Sequence, residues 1–123
     1  TLVVIGDEVL GKPTGFDDAM AMLARLSGRT HRVLTAVVLR YRERALSRLN
    51  ATEVQFRATT DAERMAYCET GEPMGKAGSY AIQGRGAVFV EHLSGSYSSV
   101  VGLPLAETAT LLEALGFPVW RGH

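Results

Sequence analysis

The sequence predicts one domain that mixes strands with helices, and three observations carry that reading. Short apolar or alternating runs recur at 2–5, 8–10, 33–39, 48–57 and 87–93, the pattern of strands. Between them, residues 16–27, 60–69 and 104–115 carry apolar positions at helical spacing, with capping and terminating residues at their ends. The length of 123 residues gives room for one real core but not two. A content of 46% hydrophobic and 21% charged residues is that of a globular domain rather than a disordered chain.

Leu2–Ile5 and Glu8–Leu10 are joined by Gly6-Asp7, close enough for a hairpin. The first run reads as a core strand already under way at Thr1, so residues before Thr1 are expected to be missing. Gly11-Lys12-Pro13 follows the second run. Pro13 has no N–H for a ladder and stops the strand. Lys12 therefore sits at an edge, where its ammonium either reaches a phosphate or is solvated without a partner.

Phe16, Ala19, Met20, Leu23 and Leu26 recur at helical spacing. Asp17 and Asp18 suit the positive end of that helix, Arg25 the negative end, and Gly28 the residue after it. Val33–Leu39 is apolar at successive positions, which predicts a central strand covered on both faces. Arg40, Arg42 and Arg44 alternate at a strand extension or hairpin tip, and His31 has no neighbour at metal-ligand spacing. From 48 to 57, Thr52, Val54 and Phe56 share one face and Ala51, Glu53, Gln55 and Arg57 the other. That alternation fits an antiparallel strand nearer an edge.

Thr60 and Glu63 have capping-box spacing for a helix to about Glu69, with Ala62, Met65, Ala66 and Cys68 expected inward. Thr70-Gly71-Glu72-Pro73 ends it. Residues 87–93 form the next strand, and 97–102 a short connection rich in hydroxyls. Pro104 suits the first position of the last helix, with Leu105, Thr108, Ala109, Leu112 and Leu115 on one face. Phe117–His123 reads as a tail that Trp120 docks.

The stretch 75–86, Gly-Lys-Ala-Gly-Ser-Tyr-Ala-Ile-Gln-Gly-Arg-Gly, organises the rest. Its glycines let a backbone approach a ligand closely, and closely spaced N–H groups can cradle an anion. Lys76 and Arg85 add positive charge, and the Gln83 amide both donates and accepts. A Gly-rich connection between two elements accounts for the same composition.

A formal net charge of zero argues against a general nucleic-acid or membrane-surface binder. The arginines from Arg25 to Arg64 are spread over several elements and read as a solvated face. Cys68 is the only cysteine, so no internal disulfide forms, which fits a reducing compartment. No apolar run is long enough to span a bilayer.

Several pieces, in order, resemble one family. They are Gly11-Lys12-Pro13, the run from Leu26 to Val33, Thr70-Gly71-Glu72-Pro73, the run from Lys76 to Gly84, Gly95-Ser96-Tyr97-Ser98, and Val100-Val101-Gly102-Leu103-Pro104. Together they closely resemble the Maf family of nucleoside triphosphate pyrophosphatases over nearly the whole chain. The resemblance implies an α/β fold, a bent mixed β-sheet flanked by helices, similar to the inosine triphosphate pyrophosphatase architecture. It implies metal-dependent hydrolysis of a nucleoside triphosphate to the monophosphate and pyrophosphate, with Mg²⁺ or Mn²⁺ as cofactor. It further implies a cytoplasmic protein, often a homodimer, from a family linked to inhibition of septum formation.

By the same resemblance Lys12 and Lys76 contact the triphosphate, and Thr1 and Gln83 occupy the positions associated with base choice. Thr and Gln there mark the branch acting on dTTP and UTP; the branch acting on 7-methyl-GTP tends to carry a carboxylate at the Gln83 position. An amide answers both the N–H and the carbonyls of a uracil edge, whereas a carboxylate only accepts. The family's proton-acceptor aspartate is expected just before Thr1, which makes residues 1–123 the C-terminal portion of a single Maf-like domain, inactive alone. Gly75 stands where the family usually has aspartate and Ser99 where it usually has asparagine, and no metal ligand is assigned. The competing expectation is a nucleotide-binding or cell-division regulatory module without turnover.

Overall fold

A computed structural model describes residues 1–120. Residues 121–123 of the expected tail lie outside the described residues. Elements follow in the order β1 (Leu2–Ile5), β2 (Glu8–Leu10), α1 (Phe16–Leu26), β3 (Thr30–Tyr41), β4 (Arg44–Phe56), α2 (Asp61–Glu69), β5 (Val90–Ser94), α3 (Tyr97–Val101) and α4 (Leu105–Ala114). The chain is α/β: five strands in the order β2-β1-β3-β4-β5 make one sheet, flanked by helices. Its four pairings are antiparallel.

Register follows from burial. Leu10, Val3, Val33 and Thr52 form one row across four strands, and all four are buried. A slip of one residue would turn that row to the other face. Ala19, Met22, Leu23 and Leu26 of α1 close over it, with Ile5, Val54, Phe56 and Phe89 in the same cluster. The helix begins where expected because Asp18 reaches back to accept from the Thr14 N–H at 2.8 Å.

β3 is central in the sheet but not covered on both faces. His31, Val33, Thr35 and Val37 are buried, whereas Thr30, Arg32, Ala36 and Val38 are exposed, Val38 at 55%. β1–β2 and β3–β4 are hairpins, while β2 runs to β3 through α1 and β4 to β5 through α2, and the alternating exposure along β3 shows that its second face stays uncovered. An apolar run does not by itself reveal which face is filled.

Helix phases also differ from expectation. In α2, Ala62, Met65 and Ala66 are exposed, whereas Cys68 is buried as expected and Tyr67 is buried beside it. The Thr60 cap is as predicted, accepting from the Glu63 N–H at 3.1 Å. Inward orientation goes to Tyr67 because its hydroxyl finds a partner there, as described below. In α4, Leu111 is fully buried while Leu105 is 60% exposed. Glu107 accepts from the Asn50 amide at 2.6 Å, which turns Glu107, and Leu111 one turn on, toward the sheet.

Residues 97–102 hold a short helix, α3, capped by Ser96, which accepts from the Ser99 N–H at 3.2 Å. The strand expected from Ala87 starts only at Val90; Arg85–Phe89 forms a 3₁₀ turn, and the β4–β5 ladder is irregular at Gln55/Phe56. Phe117, not Trp120, docks the tail: its ring meets Tyr41 edge to face, centroids 4.8 Å apart, and Trp120 is 93% exposed.

Candidate functional site

Thr1, Lys12, Lys76 and Gln83 line one cavity of about 710 Å³. Three chain segments bring them there. Thr1 precedes β1, and Lys12 lies on the link from β2 to α1. Lys76 and Gln83 come from the Gly-rich loop between α2 and β5. The Gly78 N–H donates to the Gly11 carbonyl at 3.1 Å, tying the Lys12 link to that loop. Both lysines are exposed, and among the described residues neither makes an ion pair. Two unpaired ammonium groups at one cavity suit a multiply charged anion.

The loop owes its shape to glycines and buried anchors. At Gly78, φ is +72° and an added Cβ would come within 2.9 Å of a Val3 methyl, so no larger residue fits without a shift. Ser79 also takes a positive φ, 68°, and is fully buried, its hydroxyl donating to the Met22 sulfur at 3.0 Å. Tyr80 then enters the core: its hydroxyl lies 2.6 Å from His31 Nε2, and its ring meets Phe56 edge to face. Burial pushes the Tyr80 hydroxyl above its ordinary value and lowers His31 to about 4, so the imidazole is neutral. His31 is thus a structural histidine that positions the loop from beneath. Burial likewise raises the Cys68 thiol, so it is not an activated nucleophile.

Glu72 holds the other half of the loop. Its carboxylate accepts from the backbone N–H of Arg85 at 2.9 Å and of Gly86 at 3.0 Å. The Tyr67 hydroxyl accepts from the Ala81 N–H at 3.1 Å and lies close enough to help hold the Glu72 carboxyl ionised. Burial acts to raise the Glu72 carboxyl, but the Tyr67 hydroxyl, the two amides and the Arg85 charge outweigh it and hold the carboxyl below its usual range. Gly84 and Gly86 leave the space: a Cβ on Gly84 would fall 1.9 Å from Glu72 Oε1, and one on Gly86 2.8 Å from the Ala81 carbonyl. Gln83 sits between the anchors at Tyr80 and Glu72, and its amide remains exposed.

On the opposite wall, Thr1 Oγ1 lies 3.0 Å from Thr35 Oγ1, and the Thr35 hydroxyl donates to the Ser99 carbonyl at 2.9 Å. Val100 and Val101 of α3 complete that wall. The resemblance implies a divalent metal ion. Among the described residues no three His, Cys, Asp or Glu side chains converge to hold one, and the one carboxylate at the cavity, Glu72, is engaged by two backbone amides of its own loop. The described residues therefore do not fit a protein-built metal centre.

Sequence reasoning names the four cavity residues but misses what holds them. Thr70-Gly71-Glu72-Pro73 reads as a helix-ending turn, and nothing local shows that its glutamate caps amides more than ten residues on. The Thr1–Thr35 and His31–Tyr80 bonds join distant parts of the chain and have no sequence signal at all.

The sequence model of the family described as Maf-like protein matches residues 1–115. The chain is similar to a dTTP/UTP pyrophosphatase from Xanthomonas axonopodis pv. citri (strain 306), 60% identical over 117 residues, covering 94% of this chain and 62% of that protein. Proteins of the same name from Saccharophagus degradans and Aromatoleum aromaticum are 54% and 52% identical, covering 98% and 97% of this chain and 58% of each relative. The chain thus spans about three-fifths of the curated relatives' length. A family match over residues 1–115, with relatives 52–60% identical, means that this chain belongs to the Maf-like protein family.

Proposed function

We propose that the cavity binds the triphosphate and base of dTTP, UTP or a related or modified nucleotide, for hydrolysis to the nucleoside monophosphate and pyrophosphate. The observation that carries this is the meeting of Lys12 and Lys76 with Gln83 and Thr1 around one cavity. The names of the relatives support the choice of nucleotide. Lys12 and Lys76 neutralise phosphate oxygens as mobile point charges, which favours the charge that builds up on a leaving pyrophosphate. Gln83 offers an amide N–H to a uracil carbonyl and an amide oxygen to the ring N–H. Glu72 is not offered as a general base, because its lone pairs are spent on the loop. No step is drawn through a metal ion. The same reading makes the protein cytoplasmic and able to pair as a homodimer; among the described residues no helix is long and apolar enough to cross a membrane.

The test is calorimetric binding of UTP to the chain and to Lys12→Ala and Lys76→Ala variants. Each substitution is expected to weaken binding by about tenfold. Absence of UTP binding, or binding indifferent to both substitutions, would refute the site. Gln83→Glu is expected to lower affinity for UTP relative to 7-methyl-GTP. Pyrophosphate release, followed in parallel with Mg²⁺, separates turnover from the second reading, nucleotide binding without hydrolysis. The commitment of Glu72 to backbone amides favours that second reading for these residues alone.

A further inference from the structure

Thr35 lies on β3, 2% exposed, and does not line the cavity. Its hydroxyl has one proton and two acceptor lone pairs. That proton has a definite destination. The Ser99 carbonyl belongs to the last turn of α3, in a residue that is 0% exposed. The N–H groups of Gly102 and Leu103, which could have reached it, both turn to the Ser98 carbonyl at 3.1 Å. A buried carbonyl left without a donor is costly, and the Thr35 hydroxyl supplies one at 2.9 Å. Thr35 Oγ1 therefore has no proton left for Thr1, 3.0 Å away, and that contact must run the other way: the Thr1 hydroxyl donates to Thr35. With its proton turned inward, the Thr1 hydroxyl faces the cavity with a lone pair only.

We propose that Thr35 is a positioning residue for base selection: by taking the Thr1 proton it makes Thr1 an obligatory acceptor. The cavity then favours a pyrimidine whose ring nitrogen carries a proton over one whose ring nitrogen is bare. Uracil and thymine present such an N–H, which the Thr1 hydroxyl oxygen shares with the Gln83 amide oxygen; cytosine presents a lone pair at the same place, which would oppose the Thr1 oxygen. Gln83 alone does not make this choice, because an amide can rotate to present either its oxygen or its N–H groups. The inference rests on reading the cavity as a nucleotide site, and it adds a direction to a hydrogen bond that the cavity lining leaves open.

The experiment measures the affinities of UTP and CTP in EDTA, where binding is read without turnover, for the full chain and for Thr35→Val, Thr35→Ser and Thr1→Val. Valine keeps the shape of threonine but neither accepts from Thr1 nor donates to Ser99, so the Thr1 proton is freed toward the cavity. The preference for UTP over CTP is expected to fall about tenfold in Thr35→Val and to be retained in Thr35→Ser. Thr1→Val, on an exposed residue that leaves the core untouched, is expected to lose the same preference. A merely structural Thr35 would weaken both nucleotides together and leave their ratio alone, which would overturn the proposal. So would a Thr1→Val chain with the original ratio, or a starting chain that binds both nucleotides equally. A starting chain that binds neither would instead overturn the nucleotide reading itself.

Discussion

Replacing Glu72 by alanine removes the one acceptor that holds the second half of the loop. The carboxylate takes two backbone N–H bonds, at 2.9 and 3.0 Å. A bond to a charged acceptor is worth about 1.5–3 kcal/mol when buried, and about half that at a half-exposed position where water screens the charge. Gly86 is buried, so its N–H would be left without a partner. Together these give about 2–3 kcal/mol for Glu72→Ala, and roughly half for Glu72→Gln, which keeps one acceptor oxygen. The assay is urea unfolding at neutral pH, where the midpoint is expected to fall at unchanged slope.

The pH dependence is a second check on the same variant. The folded Glu72 carboxyl is held below its usual range, so its contribution is complete above the unfolded value. It is lost as pH falls through the folded one. The difference between the parent and Glu72→Ala is therefore expected to shrink below about pH 4.5. Faster exchange of the Arg85 and Gly86 amides would place the loss in the loop. A midpoint that barely moves, or a difference that persists undiminished in acid, would refute the account of Glu72 as the loop's clamp.

Gly84→Ala is expected to reproduce much of that loss without touching Glu72, because its Cβ would occupy the carboxylate's position. The double variant with Glu72→Ala should cost less than the sum of the two single costs, which a double-mutant cycle in urea measures. His31 is lowered to about 4 by burial, so between there and its ordinary value near 6.5 the unfolded chain binds a proton that the folded chain does not. Stability is then expected to rise with pH across that window, by up to roughly 3 kcal/mol, and the slope should vanish in His31→Phe. Thermal unfolding from pH 4 to 7 tests it. Thr60→Ala removes the α2 cap and should cost about 1 kcal/mol in the same urea assay, with UTP affinity unchanged.

What could be read from the sequence alone is what local chemistry decides. The β1–β2 hairpin, the start of α1 at Asp17 and Asp18, the Thr60 cap and the alternation of Thr52, Val54 and Phe56 depend on near neighbours and were legible residue by residue. Lys12, Lys76 and Gln83 were singled out as site residues only through the family resemblance, because a cation or amide beside glycines reads equally as a solvated loop. Tertiary structure decided the rest. The phase of α4 depends on Asn50, a residue on another element, and the inward turn of Tyr67 depends on partners at Glu72 and Ala81. The open face of β3 depends on which elements are present to cover it. The roles of Glu72, His31 and Thr35 come from hydrogen bonds to residues 13, 49 and 64 positions away. A hydrogen bond acts over about 3 Å. A sequence shows which groups can donate and accept, but only the folded chain brings two such groups within that distance.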